Sequence, residues 1–327
     1  MQRWEQVFCV TINLFLFYGE KVGMKQNRIR FGLCCIFRQE PIKFRQITAK
    51  TLQSVPRPEQ LLRLSEICLH NIQSLYKSLQ YVSANGIGAF RILSPLFPRY
   101  THPEVAYTLD DLSAGESIKQ ELGRIRQFRK KHDIRLSFHP DQFNVLSSPR
   151  PEVIRNTMRE LEYQGLLADL FDAEVINLHA GGVYGNKQSA LERLVDNFGK
   201  LPESVRSRLS LENDDISFTP ADLLPVCKKL QIPMVYDVHH HRCKPDEYSI
   251  EETTERVMET WQAVGREPSF HISSPKNGWQ NGYPKPHADY IDLADFPSCW
   301  KGRTITVDVE AKAKELAVLR LKKGLKN

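Results

Sequence analysis

The chain has 327 residues, 41% of them hydrophobic and 26% charged, enough apolar material for two ordinary domains or one large barrel. A formal charge of +6, spread along the sequence, permits a nucleic-acid partner without indicating one. Seven cysteines without a Cys-x-x-Cys pair exclude a disulfide framework or a zinc ribbon and read as buried or incidental thiols of a reducing cytoplasm.

Residues 1–23 carry an apolar run, Val7–Tyr18, that Thr11 and Asn13 interrupt and that is too short to span a bilayer as a helix. Glu5 weakens a basic leader and Gly19-Glu20-Lys21 is a poor cleavage site. These residues are expected to lie outside the fold, with Met24 a more natural start and residues 24–327 forming one domain.

From Arg28 onward, apolar β-rich runs alternate with segments of helical periodicity. "IRFGLCCI" (Ile29–Ile36) leads through a basic loop to a helix whose Leu61, Leu64, Cys68, Leu75, Leu79 and Val82 recur at three- and four-residue spacing. Pro58 suits that helix's start. "GAFRIL" precedes a helix over 113–132, "IRLSFH" one over 151–171, "EVINLH" one over 187–200 and "RLSLEN" one over 220–230. "PMVYDV" precedes a helix over 250–264, "SFHIS" a long loop and a short helix over 288–296, and "TITVDV" a closing helix over 310–321. About eight βα units at this length predict a single (β/α)8 TIM barrel. An open doubly wound sheet is disfavoured, because no Gly-x-Gly-x-x-Gly follows the first strand.

The strand ends carry the chemistry. His139 ends the third strand and His179 the fourth, Glu212 ends the fifth, and Asp237 and His240 end the sixth in "YDVHHH". His271 lies in the seventh, His287 in its loop, and Glu310 ends the eighth. Singly, each passes as a capped turn, a helix-start acid or a hydrogen-bonded loop histidine. As a set they converge on the C-terminal mouth, where barrels build active sites. Imidazoles and carboxylates without a thiolate suit borderline divalent metals such as Zn²⁺ or Mn²⁺. Eight donors exceed the needs of one ion, so two to three ions are expected, with Glu212 bridging a pair, an arrangement used for in-line displacement at phosphorus. His239 and His241 carry no assignment. Gly181-Gly182 leaves the backbone room for a ligand or simply makes a tight turn.

The run "FHPDQF", "NLHAGG", "LEND", "YDVHHH", "FHISSPK" and "VDVEAKAKELA" resembles the UV damage endonuclease family in order and spacing, from about Ile29 to Leu321. The resemblance implies a metal-dependent barrel, related to endonuclease IV, that nicks DNA immediately 5′ of a UV photoproduct and leaves a 3′-hydroxyl. It implies one ion on His139, His179 and Glu212, a second on Glu212, Asp237, His271 and Glu310, and a third on His240 and His287. Manganese is the expected metal, with Zn²⁺ or Mg²⁺ as substitutes. Gln142 and Phe143 would probe the lesion, since a crosslinked pyrimidine pair is poorly stacked and costs less to extrude. The pattern departs at Phe143, where the family often has Tyr, and at Ser269, where it often has a modifiable Lys that helps hold the metals. Leu33 and Phe37 stand where it has Tyr and Asn, which puts a DNA contact there in doubt.

His102, at the exit of the second strand, is a further catalytic candidate facing phosphate, although a plain loop histidine has the same signature. Arg38, Lys43 and Arg45 after the first strand, and Lys276 and Lys285 interleaved with Trp279 and Tyr283, are candidates for the DNA backbone; solvated loop charge is the plain alternative. The expected protein is a monomeric cytoplasmic endodeoxyribonuclease on double-stranded DNA, with no nucleotide cofactor and no membrane span. An apurinic endonuclease and a metal-dependent sugar isomerase or epimerase on the same barrel are the rivals. The number of histidines, the Gln142-Phe143 pair and the basic, aromatic mouth favour the nuclease.

Overall fold

The computed structural model describes residues 28–326, so the expectation for residues 1–23 lies outside the described residues. Eight strands close into a parallel barrel in sequence order: β1 (Ile29–Cys34), β2 (Ala89–Ile92), β3 (Arg135–Phe138), β4 (Val175–His179), β5 (Leu209–Glu212), β6 (Met234–Asp237), β7 (Ser269–Ile272) and β8 (Ile305–Val309). The helices are α1 (Ala49–Gln53), α2 (Arg57–Ala84), α3 (Gly115–Lys131), α4 (Pro151–Phe171), α5 (Lys187–Phe198), α6 (Glu203–Arg206), α7 (Pro220–Leu230), α8 (Val238–Cys243), α9 (Ile250–Ala263) and α10 (Glu315–Gly324).

Strand alternation sorts the side chains. Phe90, Leu136, Ile176, Leu211, Tyr236, Phe270 and Val307 are buried in the core that includes Leu64, Leu79, Ile118 and Leu161 of the helices. The other face of the strands points into the barrel and is largely polar: Arg91, Arg135, Ser137, Asn177, Ser269, Thr306 and Asp308 line its enclosed interior. Register then places the site. His179 pairs with Glu212 across β4 and β5, and Asp237 with His271 across β6 and β7, at one end of the barrel.

Three local expectations differ from the structure. Residues 288–296 form no α-helix; the segment holds one 3-10 turn, Leu293–Asp295, capped by Asp292, and a second follows Pro297 at Ser298–Trp300. The closing helix begins at Glu315, because Lys314 adopts a left-handed φ of 52° that interrupts any helix from Glu310. "VHHH" after β6 is helical, with Asp237 as its N-cap accepting from the His240 amide at 2.8 Å.

Leu33 and Phe37, at the two positions of doubtful DNA contact, are buried in the core. Gly32 is required by close approach, since a Cβ there would collide with Asp308 Oδ1. Gly32→Ala should therefore displace Asp308 from Arg91 and destabilise the fold by about 2–4 kcal/mol, measured as a lower urea midpoint with an unchanged slope.

Candidate metal centre

All eight predicted ligands meet at the barrel mouth, around Glu212, which is 1% exposed. Its Oε2 lies 2.9 Å from His139 Nε2 and 3.9 Å from His179 Nε2. Its Oε1 lies 2.9 Å from His271 Nδ1 and 3.7 Å from His240 Nδ1. Glu310 Oε1 approaches His271 Nδ1 at 3.4 Å and Glu310 Oε2 approaches His287 Nδ1 at 3.9 Å. Two trios have donor atoms within 4.8 Å of one another: His139, His179 and Glu212, and Glu212, Asp237 and His271. His240 and His287 are neighbours, with ring centroids 6.2 Å apart.

Main-chain and hydroxyl acceptors orient the rings. His139 Nδ1 faces the Pro140 carbonyl at 3.1 Å and His240 Nδ1 the Asn213 carbonyl at 3.0 Å; a carbonyl only accepts, so each Nδ1 carries the proton. Ser273 Oγ donates to the Glu310 carbonyl and takes the Nδ1 proton of His287. With a metal bound, three imidazoles would thus present Nε2 to it, the orientation of metal-binding histidines; in the metal-free protein His139 Nε2 donates to Glu212 instead. Buried Asp237 Oδ2 and His179 Nδ1 have no hydrogen-bond partner, a cost that a bound cation relieves at the carboxylate. These residues fit a divalent-metal centre.

Burial opposes ionisation of Glu212, but the His271 and His179 rings and hydrogen bonds from His139 and His271 hold it well below the usual carboxylate range. Burial also opposes a charged His240, yet Asp237, Glu212 and Glu310 outweigh it and push the ring up to about 9. Burial dominates at His179 and lowers it. His271 feels opposed demands. Glu212 and Glu310 favour a charged ring, whereas Arg91 Nη2 stands 2.8 Å from Nε2 and needs that nitrogen bare. Burial and the guanidinium both oppose the charge, yet the two carboxylates outweigh them and raise the ring above its usual value, with Nδ1–H toward Glu212.

Arg91 is the main residue the sequence reading missed. It lies on β2, donates to Glu310 Oε1 at 2.6 Å and pairs with Asp308 Oδ2 at 3.1 Å. Asn177, which donates to Glu212 Oε2, and Asn213, which accepts from the Asp237 amide at 3.0 Å, were missed too. The available signal was a polar residue at the inward position of an otherwise apolar strand, as in "AFRI" and "VINLH".

A cleft of about 590 Å³ joins His179 and His240 to Gln142 and Phe143, both exposed. Arg38, Lys43, Arg45 and Lys276 are also exposed. Lys285 is committed within the protein, donating to the Asp215 carbonyl at 2.8 Å. Trp279 donates to Asp295 at 2.7 Å and packs on His239, while Tyr283 is exposed. His102 does not join the metal residues; it lines a separate cleft with Tyr100, Arg159 and Tyr163. His239 packs beside His287, and His241 is tied to Tyr236 and Asp246. Ser269 Oγ accepts from Arg135 at 2.9 Å. Gly181, at φ 94°, gives its space to the chain's own Val145 and Ser147.

Comparison with known proteins agrees with this geometry. The chain is 34% identical over 282 residues to the UV DNA damage endonuclease of Bacillus thuringiensis subsp. konkukian, covering 84% of this chain and 86% of that protein. It is 34% identical over 306 residues to that of Bacillus velezensis, covering 89% and 92%. The crystal structure of SacUVDE superposes with a TM-score of 0.80 at 29% identity, covering 91% of this chain and 98% of that one. Endonuclease IV from Thermus thermophilus and a D-tagatose 3-epimerase-like protein each give 0.57 at 16% identity over 91% of this chain, with 99% and 96% of their own chains covered, which shows a shared fold. Residues 29–327 match the UV-endonuclease UvdE family, and the chain belongs to it.

Proposed function

We propose that the protein is a DNA repair endonuclease that recognises UV photoproducts in duplex DNA and hydrolyses the phosphodiester immediately 5′ of the lesion. The observation that carries this reading is the single cleft in which an exposed amide and aromatic ring, Gln142 and Phe143, open onto His179 and His240 of the candidate metal centre.

His139, His179 and Glu212 would hold one divalent ion, Glu212, Asp237, His271 and Glu310 a second, and His240 with His287 a third, manganese being the metal of choice. Ions so held supply an acidified water and charge stabilisation for the departing 3′-oxygen. The protein's own part is electrostatic and positional. Glu212 stays ionised and is shared between ion sites. By engaging Nδ1, Pro140, Asn213 and Ser273 would leave Nε2 of His139, His240 and His287 to hold the ions. Arg91 fixes Glu310 and His271 from below. Gln142 and Phe143 fill the gap left by an extruded pyrimidine pair. Arg38, Lys43, Arg45 and Lys276 meet the backbone, and His102 a flanking phosphate.

Manganese-loaded protein should nick UV-irradiated supercoiled plasmid and spare untreated plasmid, and chelator should abolish the nicking. Nicking only of plasmid bearing abasic sites would transfer the assignment to an apurinic endonuclease. Glu212→Gln should lower nicking by at least about a thousandfold and reduce bound metal, while damaged-DNA binding persists. Replacing both Gln142 and Phe143 by Ala should cut the preference for irradiated DNA by about tenfold or more, with metal content unchanged. His240 charged against its carboxylates stabilises the metal-free fold fully below pH 6.5, and that contribution disappears as pH rises through about 9. Urea melts of chelated protein should show this loss across that interval, and His240→Asn should remove it.

A further inference from the structure

Among the described residues, three exposed apolar side chains line the cleft shared with His179 and His240: Phe143 at 77%, Ile216 at 70% and Tyr184 at 44%. A solitary exposed apolar residue needs no explanation, but three at one cleft beside a reactive centre mark a contact surface. Only Phe143 is used by the reading above.

The other two are built into place. Asp214 Oδ1 accepts from the Ile216 amide at 2.7 Å, Oδ2 from the Phe218 amide at 3.0 Å, and the Asp214 amide donates back to the Phe218 carbonyl at 3.0 Å. Phe218 is fully buried, so this closed turn is anchored and Ile216 stands at its tip. Tyr184 adopts a left-handed φ of 48°, which is uncommon for an aromatic residue and persists only where the surroundings impose it. Its ring lies over Gly182, where a Cβ would approach it to 3.4 Å, and the Arg193 guanidinium stands 5.9 Å from its centroid.

We propose that Tyr184 and Ile216 complete the lesion-contacting surface with Phe143, taking the faces of two pyrimidine bases pushed out of the helical stack. The proposal rests on the lesion-directed reading above. A nucleobase has an apolar face and polar edges, and the cleft offers both chemistries, with the amides of Gln142, Asn144 and Asn156 along its lining. Its volume of about 590 Å³ is that of a small-molecule site. Its acids are partly offset: backbone amides surround the Asp214 carboxylate and Asp215 pairs with Lys285 at 3.5 Å, while Arg150 is exposed at the same cleft.

The test measures dissociation constants of metal-loaded protein for a fluorescent duplex with one cyclobutane pyrimidine dimer, its 5′ linkage made non-hydrolysable, and for its undamaged counterpart. Ile216→Ser and Tyr184→Asn should each reduce the undamaged-to-damaged ratio by about tenfold, the value of one lost base contact, with unchanged melting temperature. Asn is chosen because it tolerates the left-handed backbone. Ile216→Leu and Tyr184→Phe should keep the ratio. A wild-type chain that discriminates, alongside Ser and Asn variants that discriminate equally, overturns this proposal alone. A wild-type chain that does not discriminate overturns the lesion reading beneath it.

Discussion

One ionised carboxylate in a nearly dry position organises this protein. Glu212 is charged at the mouth of a barrel where a lone charge would cost several kcal/mol, and imidazoles from β3, β4, β6 and β7 or their exits gather around it. The strand register makes that gathering possible, since His179 stands opposite Glu212 and His271 opposite Asp237 on neighbouring strands. The loops inherit their positions from these strand ends, which is why the exposed Gln142 and Phe143 share one cleft with the half-buried His179 and His240.

The barrel interior extends the same logic downward. An apolar filling is the common solution for this fold, yet here Arg91, Asp308, Asn177 and Thr306 occupy inward positions. Asp308 fits only because Gly32 opposite it lacks a side chain, and Arg91 then reaches both Asp308 and Glu310. Replacing one partner would leave a buried charge uncompensated, so the set is bound together. The arrangement trades some packing energy for side chains at the mouth that cannot swing.

Much of this was legible from residue patterns. The eight strands and the helices at 151–171 and 220–230 stand where alternation and periodicity place them, and the strand-end residues gather around Glu212. The failures are local and physical. Pro297 and the capping of Asp292 kept 288–296 from becoming a helix, and the left-handed Lys314 delayed the last one. Arg91 stands within a strand and not at its end, so strand-end chemistry does not single it out, although alternation points it inward. Lys285 shows the opposite error: its charge suggested DNA, but its ammonium is spent on Asp215. Composition reveals that charge is present, and only the fold reveals whether it is free.

The partners that orient His139 and His240 are the carbonyls of Pro140 and Asn213. A side-chain acceptor disappears with one codon change; a peptide carbonyl does not. The tautomers of these rings are therefore insulated from most point substitutions at the residues that set them. Sequence drift around the site can alter which duplex is gripped while leaving the imidazoles aimed as before.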